Sequence, residues 1–153
     1  MGTRHLQTVI TKEGDVKVNQ YGQWDGYPDG QGIDILEFLR NCDLAKYQEN
    51  LSKLRRITQK EGKEIDKLKD WDVKYPHLSR DCGSRIHKMI ERGEIEFVDL
   101  ADEEAGSWCE GFYTIDFSKD EFIAEFHGNV KTYKISSLPS YKKFLDDFKS
   151  EDK

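Results

Sequence analysis

The hydrophobic period of this chain switches twice. From His5 to Gly22 the residues alternate between two faces, from Ile33 to Gly93 apolar residues recur at spacings of three and four, and from Ile95 to Ile135 alternation returns. A period of two builds strands and a period near 3.6 builds helices. The order is therefore hairpin, helices, antiparallel meander and a last helix, an α+β fold.

The pattern predicts strands over His5–Thr11 and Asp15–Gly22, joined by the turn KEGD. Val16, Val18 and Gln20 are expected on one face of the second strand, with Lys17, Asn19 and Tyr21 on the other. Ile33, Leu36, Phe38 and Leu39 suit a short helix. Asp43 is placed to cap a second one, with Leu44, Tyr47, Leu51 and Leu54 inward. The charged run KEGKEIDKLKD fits either a helix or a loop, and Tyr75-Pro76 stops what precedes it. Ser79 reads as the cap of a helix with Cys82, Ile86, Met89 and Ile90 inside, ended by Gly93. Ile95–Leu100, Trp108–Phe117, Glu121–Phe126 and Lys131–Ile135 read as four successive antiparallel strands. LPSYKKFLDDF closes the chain as a helix.

A chain of 153 residues is expected to fold as one domain, 1–153, without a disulfide or structural metal. Cys42, Cys82 and Cys109 are an odd number and form no CxxC pair, which points to a reducing compartment. The first residues lack the apolar run of a signal peptide, and no stretch is long and apolar enough for a membrane span. Leu6 stands where a myristoylation signal has Ser or Thr. A cytoplasmic protein is the expectation. The net charge is −6, and residues 97–137 carry 9 acidic against 3 basic groups, a deficit equal to that net charge. With no basic surface evident, direct nucleic-acid binding is not expected.

YGQWDGYPDGQG, from Tyr21 to Gly32, sets three large aromatics on a flexible backbone. Asp25-Gly26 and Asp29-Gly30 are turn steps, and Pro28 stiffens the middle. Tyr21, Trp24 and Tyr27 would stand out as flat surfaces suited to stacking, with Gln23 and Asp25 supplying directed hydrogen bonds. The competing reading is a lid over one end of the sheet, its aromatics sealing the core.

Gly2-Thr3-Arg4-His5, then QYGQWDGYP from Gln20 to Pro28, then Gly30-Gln31-Gly32, then LSRDCGSRIHKMI from Leu78 to Ile90 resemble a family of small bacteriophage and prophage proteins. These share an MGTR start and a WDGYP motif. The matching blocks cover about the first three fifths of the chain. The resemblance implies a phage-type accessory protein acting in the cytoplasm of a bacterial host. It assigns no catalytic residue.

Antiparallel pairing of the first two strands brings their far ends together, so Arg4, His5, Tyr21 and Gln23 are expected to cluster. Trp24, Asp25 and Tyr27 would join them. Arg80 and Asp81, read as the first turn of a helix, would face the same cluster and favour an anion. An Arg–Asp brace that merely holds the loop is the plainer alternative.

A second candidate surface is acidic: Asp102, Glu103, Glu104, Glu110, Asp116, Asp120 and Glu121. Sharing a face, these would present a negative field to a basic partner, such as a host protein with a nucleic-acid-binding surface. A solvated outer face is the alternative. His5, His77, His87 and His127 are scattered, so no metal or cofactor is expected. The element order is also similar to that of N-terminal-nucleophile hydrolases, with Thr3 as the attacking residue if Met1 and Gly2 were removed. Two function classes remain. One is a non-enzymatic module engaging a host factor, with inhibition of a defence system as its outcome. The other captures a small ligand or nucleotide, by sequestration or hydrolysis.

Overall fold

The computed structural model describes residues 2–149. Strands β1 (His5–Ile10) and β2 (Val16–Gly22) form the N-terminal hairpin. Helices α1 (Ile33–Asn41) and α2 (Leu44–Ser52) follow. A two-residue strand β3 (Arg55–Arg56) leads into α3 (Gln59–Asp66), the short α4 (Trp71–Lys74) and α5 (Arg85–Glu91). After β4 (Phe97–Val98) come β5 (Gly111–Asp116), β6 (Glu121–Phe126), β7 (Asn129–Lys134) and α6 (Tyr141–Lys149). This is an α+β fold.

The main sheet has five strands in the order β2-β1-β5-β6-β7. Three of its four pairings are antiparallel; β1 and β5 run parallel, with His5 opposite Gly111 and Val9 opposite Ile115. Those two strands lie about a hundred residues apart, so neither local periodicity nor a turn motif announces their pairing. It joins the hairpin to the meander in one sheet.

His5, Gln7, Val9, Val18, Tyr113, Ile115, Phe122, Ala124 and Phe126 share one buried face of that sheet. The apolar ones join Leu36, Leu39, Tyr47, Leu51, Ile86, Ile90 and Phe144 in a single core. On α6, Phe144 stacks on Phe122 at 5.9 Å between ring centroids and meets Phe148 at 5.3 Å. Burying each such ring stabilises by roughly 1.5–3 kcal/mol.

Local chemistry sets the helix ends. Asp43 caps α2 by accepting the Lys46 N–H at 3.1 Å. Thr58 and Glu61 form a reciprocal capping box at the start of α3, which resolves KEGKEIDKLKD largely as helix. Gly93, at φ +69°, ends α5 as expected. At the HGN turn, His127 and Gly128 both take positive φ, the conformation a tight hairpin requires.

Three expectations are corrected. Ile95–Leu100 is not a strand of the meander: only Phe97 and Val98 pair, in parallel with Arg55 and Arg56. Ser79 does not cap the helix. Gly83, at φ +58°, breaks the chain between Ser79 and Ser84, so α5 begins at Arg85. Val16 does not share a face with Val18, because an irregularity in the hairpin sets Val16 opposite Ile10 while Val18 pairs with Val9. Val16 is left half-exposed.

Candidate functional site

The loop after β2 is pulled tightly over one end of the sheet. Gly26 donates its N–H to the Thr3 carbonyl at 2.8 Å, and its own carbonyl accepts the buried Tyr113 hydroxyl at 2.7 Å. A Cβ on Gly26 would stand 2.8 Å from the Thr3 and Arg4 carbonyl oxygens, so only glycine allows this approach. Asp25 takes a left-handed φ of 59°, and its carbonyl accepts the Gln31 N–H at 2.8 Å. The backbone is therefore a lid. Its rings are not sealed in: Trp24 and Tyr27 are 49% and 47% exposed.

The two rings leave in different directions. Trp24 donates its indole N–H to Asp81 Oδ1 at 2.7 Å, and the Gln23 N–H donates to the Arg80 carbonyl at 3.0 Å. These bonds bind the loop to residues 79–84, which form a turn before α5. Arg80 and Asp81 are thus not in the first turn of a helix, and the expected helix-terminal anion site is absent. Tyr27 lies against Phe126 at 5.8 Å, in a groove shared with Leu145 and Phe148 of α6. Tyr27 is not part of the Trp24 cluster.

Tyr21 and Arg80 line one cavity at this end of the sheet, and Arg4 lies close enough to Tyr21 to act on its phenol. The Arg4 backbone N–H donates to Glu110 Oε2 at 2.7 Å, and its guanidinium pairs with Glu110 Oε1 at 3.3 Å. Burial opposes the charge on Glu110, but these bonds from Arg4 hold its carboxyl below the usual range. Tyr21 donates its hydroxyl to Gln23 Oε1 at 2.9 Å. Burial and the neighbouring Cys109 raise the Tyr21 phenol, while Arg4 and Arg80 pull it down.

His5 departs from expectation most. It is 1% exposed and lies under the lid, where burial lowers its pKa to about 4. It adjoins a buried polar chain that the sequence reading missed. Tyr47 donates to His87 Nδ1 at 2.9 Å, so His87 Nε2–H donates to Gln7 Oε1 at 2.7 Å. Gln7 Nε2 donates onward to Gln31 Oε1 and Ser84 Oγ, both at 3.2 Å. Gln31 completes the path by donating to the Trp24 carbonyl at 3.3 Å. The only trace in the sequence is Gln7, a polar residue on the same strand face as Val9.

A small cavity of about 160 Å³ opens beside Tyr21, along the outer edge of β2. Gln20, Tyr21, His77, Ser79, Arg80 and Asp99 line it. His77 is 6% exposed; neither ring nitrogen has a partner at hydrogen-bond geometry, although the Phe97 backbone lies close enough to favour its charged form. Gln20 Nε2 and Arg4 Nε are also buried without partners. Buried polar atoms are almost always satisfied, so unsatisfied ones behind this cavity mark a place for ordered water or for polar atoms of a ligand. Burial holds the imidazole of His77 neutral by lowering its pKa, so it offers one donor and one acceptor.

The acidic residues do not form one field. Asp116 is 4% exposed and accepts from Ser118 within its own turn. Asp120 accepts the Ser136 hydroxyl at 2.6 Å, and Glu110 is taken by Arg4. Glu121 is half-buried on β6. Asp102, Glu103 and Glu104 are exposed together, on the segment leading to the exposed Trp108. Among the described residues, no group of three or more His, Cys, Asp or Glu side chains is disposed to hold a metal ion, and no helix is long and apolar enough to cross a membrane. Comparison of the chain with protein-family models, curated proteins and solved structures finds no match.

Proposed function

We propose that this chain is a binding protein that captures a small polar ligand at the outer edge of β2, without catalysing a reaction on it. The observation that carries this reading is the cavity lined by His77, Gln20, Tyr21 and Arg80, behind which the His77 ring and Gln20 Nε2 are buried without a partner at hydrogen-bond geometry. At about 160 Å³ the cavity is smaller than the 300–1,000 Å³ usual for whole-ligand pockets. It suits a group the size of a base or sugar. Arg80, exposed in its lining, would take an anionic portion outside, and Trp24, whose indole is held by the adjacent Asp81, would stack on a ring that extends toward it. A nucleoside or nucleotide has these parts. The family resemblance supports a setting: a phage-type accessory protein that sequesters such a molecule in the cytoplasm of a bacterial host.

The test is native mass spectrometry of the protein taken from a bacterial host, with thermal shifts against nucleosides and nucleotides. A bound small molecule that is lost in Arg80→Ala and retained in Glu103→Lys/Glu104→Lys supports the reading. No adduct and no shift with any of these ligands would overturn it.

A second reading is engagement of a basic host protein, with inhibition of a defence system as its consequence. It is favoured by the exposed run Asp102-Glu103-Glu104 in the segment that leads to the 60% exposed Trp108, since Trp is enriched among interface anchors. Such docking would weaken steeply with salt and fail in Glu103→Lys/Glu104→Lys.

A further inference from the structure

A second cavity, of about 370 Å³, lies between α1 and α5. Its two walls differ in charge: the charged groups of α1 are carboxylates only, and those of α5 are mainly cations. Asp34 and Glu37 project from α1, and Arg85 and Lys88 from α5; the buried ring of Phe38 forms part of the floor. Among the described residues no ion pair joins the two walls within 4.0 Å. Charges that faced each other closely would have neutralised one another. Here both signs stay available across a gap with an apolar base.

The basic wall is held in place. Arg85 donates from Nε to the Cys82 carbonyl and from Nη2 to the Asp81 carbonyl, each at 3.1 Å. That fixes the guanidinium plane and leaves Nη1 for a ligand. On the acidic wall, Asn41 is tied to the Glu37 carbonyl at 2.8 Å. Glu91, also at the cavity, accepts the Asp43 N–H on Oε2 at 2.7 Å and keeps its charge and its other oxygen. On the α1 wall the acceptors for a cation are the Asp34 and Glu37 carboxylates.

We infer that the α1–α5 groove binds a free α-amino acid as its zwitterion. The ammonium sits at Asp34 and Glu37, the carboxylate at Arg85 and Lys88, and an apolar side chain on Phe38. A ligand of one charge would satisfy one wall and leave the other without a partner. A volume of about 370 Å³ falls in the range of small-molecule pockets. Desolvation first, then the neighbouring Glu37 and Asp25, raises the carboxyl of Asp34, and a cation there offsets the lesser, like-charge part. This site is separate from the edge of β2, and the two stand or fall independently.

The experiment is a titration of the isotope-labelled protein, followed by the amide shifts of α1 and α5. The probes are L-leucine, L-leucinamide (no carboxylate) and 4-methylpentanoate (no ammonium). Saturable shifts with leucine below about 10 mM are expected. Each singly charged analogue should bind about tenfold more weakly, as loss of one charge-assisted contact implies. Glu37→Lys and Lys88→Glu, both at exposed positions, should each abolish the shifts while far-UV circular dichroism stays unchanged. Arg80→Ala should leave them intact. The inference is overturned if leucine gives no saturable shift, if either analogue matches it, or if both charge reversals leave binding unchanged.

Discussion

Gly22 lies directly against the imidazole of His5, its partner across the hairpin, so that a Cβ on Gly22 would stand 2.0 Å from Nε2. The ring is fully buried and has no room to withdraw. Gly22→Ala is therefore expected to destabilise the protein by about 1–3 kcal/mol, the usual cost of overpacking. His5→Ala in the same chain should restore part of that loss. A double-mutant cycle read by urea unfolding checks it, and strict additivity would refute the clash.

The hydroxyl of Tyr113 ties the lid to the core of the sheet through the Gly26 carbonyl, beside the Gly26 N–H bond to Thr3. Tyr113→Phe removes the donor, keeps the ring and leaves that buried carbonyl unpaired, which costs about 1–3 kcal/mol. Exchange of the amides of residues 23–31 should accelerate more than that of β6. Uniform loosening across the sheet would show that the hydroxyl is not the specific tether.

Stability should fall as pH drops below neutrality. Burial lowers His87 to about 3 and His5 to about 4, whereas both titrate near 6.5 when unfolded. Between those values the unfolded chain binds more protons than the folded one, so unfolding becomes easier with each step down. The loss begins near pH 6.5 and levels off for His5 near 4 and for His87 near 3. Each histidine contributes a slope of up to about 1.4 kcal/mol per pH unit. Denaturant unfolding from pH 7 to 4 in wild type and His5→Gln measures this; an unchanged slope in the variant would exclude His5.

The thiols should be sluggish nucleophiles. Cys42 and Cys109 are both raised to about 11, by burial first and then by Glu91 and Glu110 respectively. Cys82 is buried and raised by that burial. Because the thiolate is the reactive form, alkylation of the native protein at pH 7 should be much slower than alkylation in urea. Equal rates would contradict the arrangement.

The parts of the fold legible from sequence were those whose signal is local. The hairpin, α1, α2, β5 to β7 and α6 each carry a hydrophobic period and a turn or cap residue that agree. Ile95–Leu100 misled because alternation describes half-burial without naming a partner; Phe97 packs on His77 at 5.6 Å and under the Arg55 guanidinium, away from the meander. Ser79 misled because an N-cap signal does not show that Gly83 will interrupt the chain. In the site, hairpin geometry brought Arg4, Tyr21 and Gln23 to one end of the first two strands, with His5 beside them in sequence but on the opposite, buried face. Whether each faced water did not follow from that geometry: His5 is buried, Trp24 is open and Tyr27 points elsewhere.

Residue order alone determined that strands enclose a helical middle, that the glycine-rich stretch turns at the end of β2, and that acidic groups concentrate after residue 97. Only the tertiary structure decided that β1 pairs in parallel with β5, that His77 and Gln20 keep unpaired atoms behind one cavity, and that Asp34 and Glu37 face Arg85 and Lys88. Period, caps and turns act over a few residues and are written in neighbouring side chains. Contacts between distant segments depend on how whole elements share one core, so their electrostatics exist only once the chain has closed.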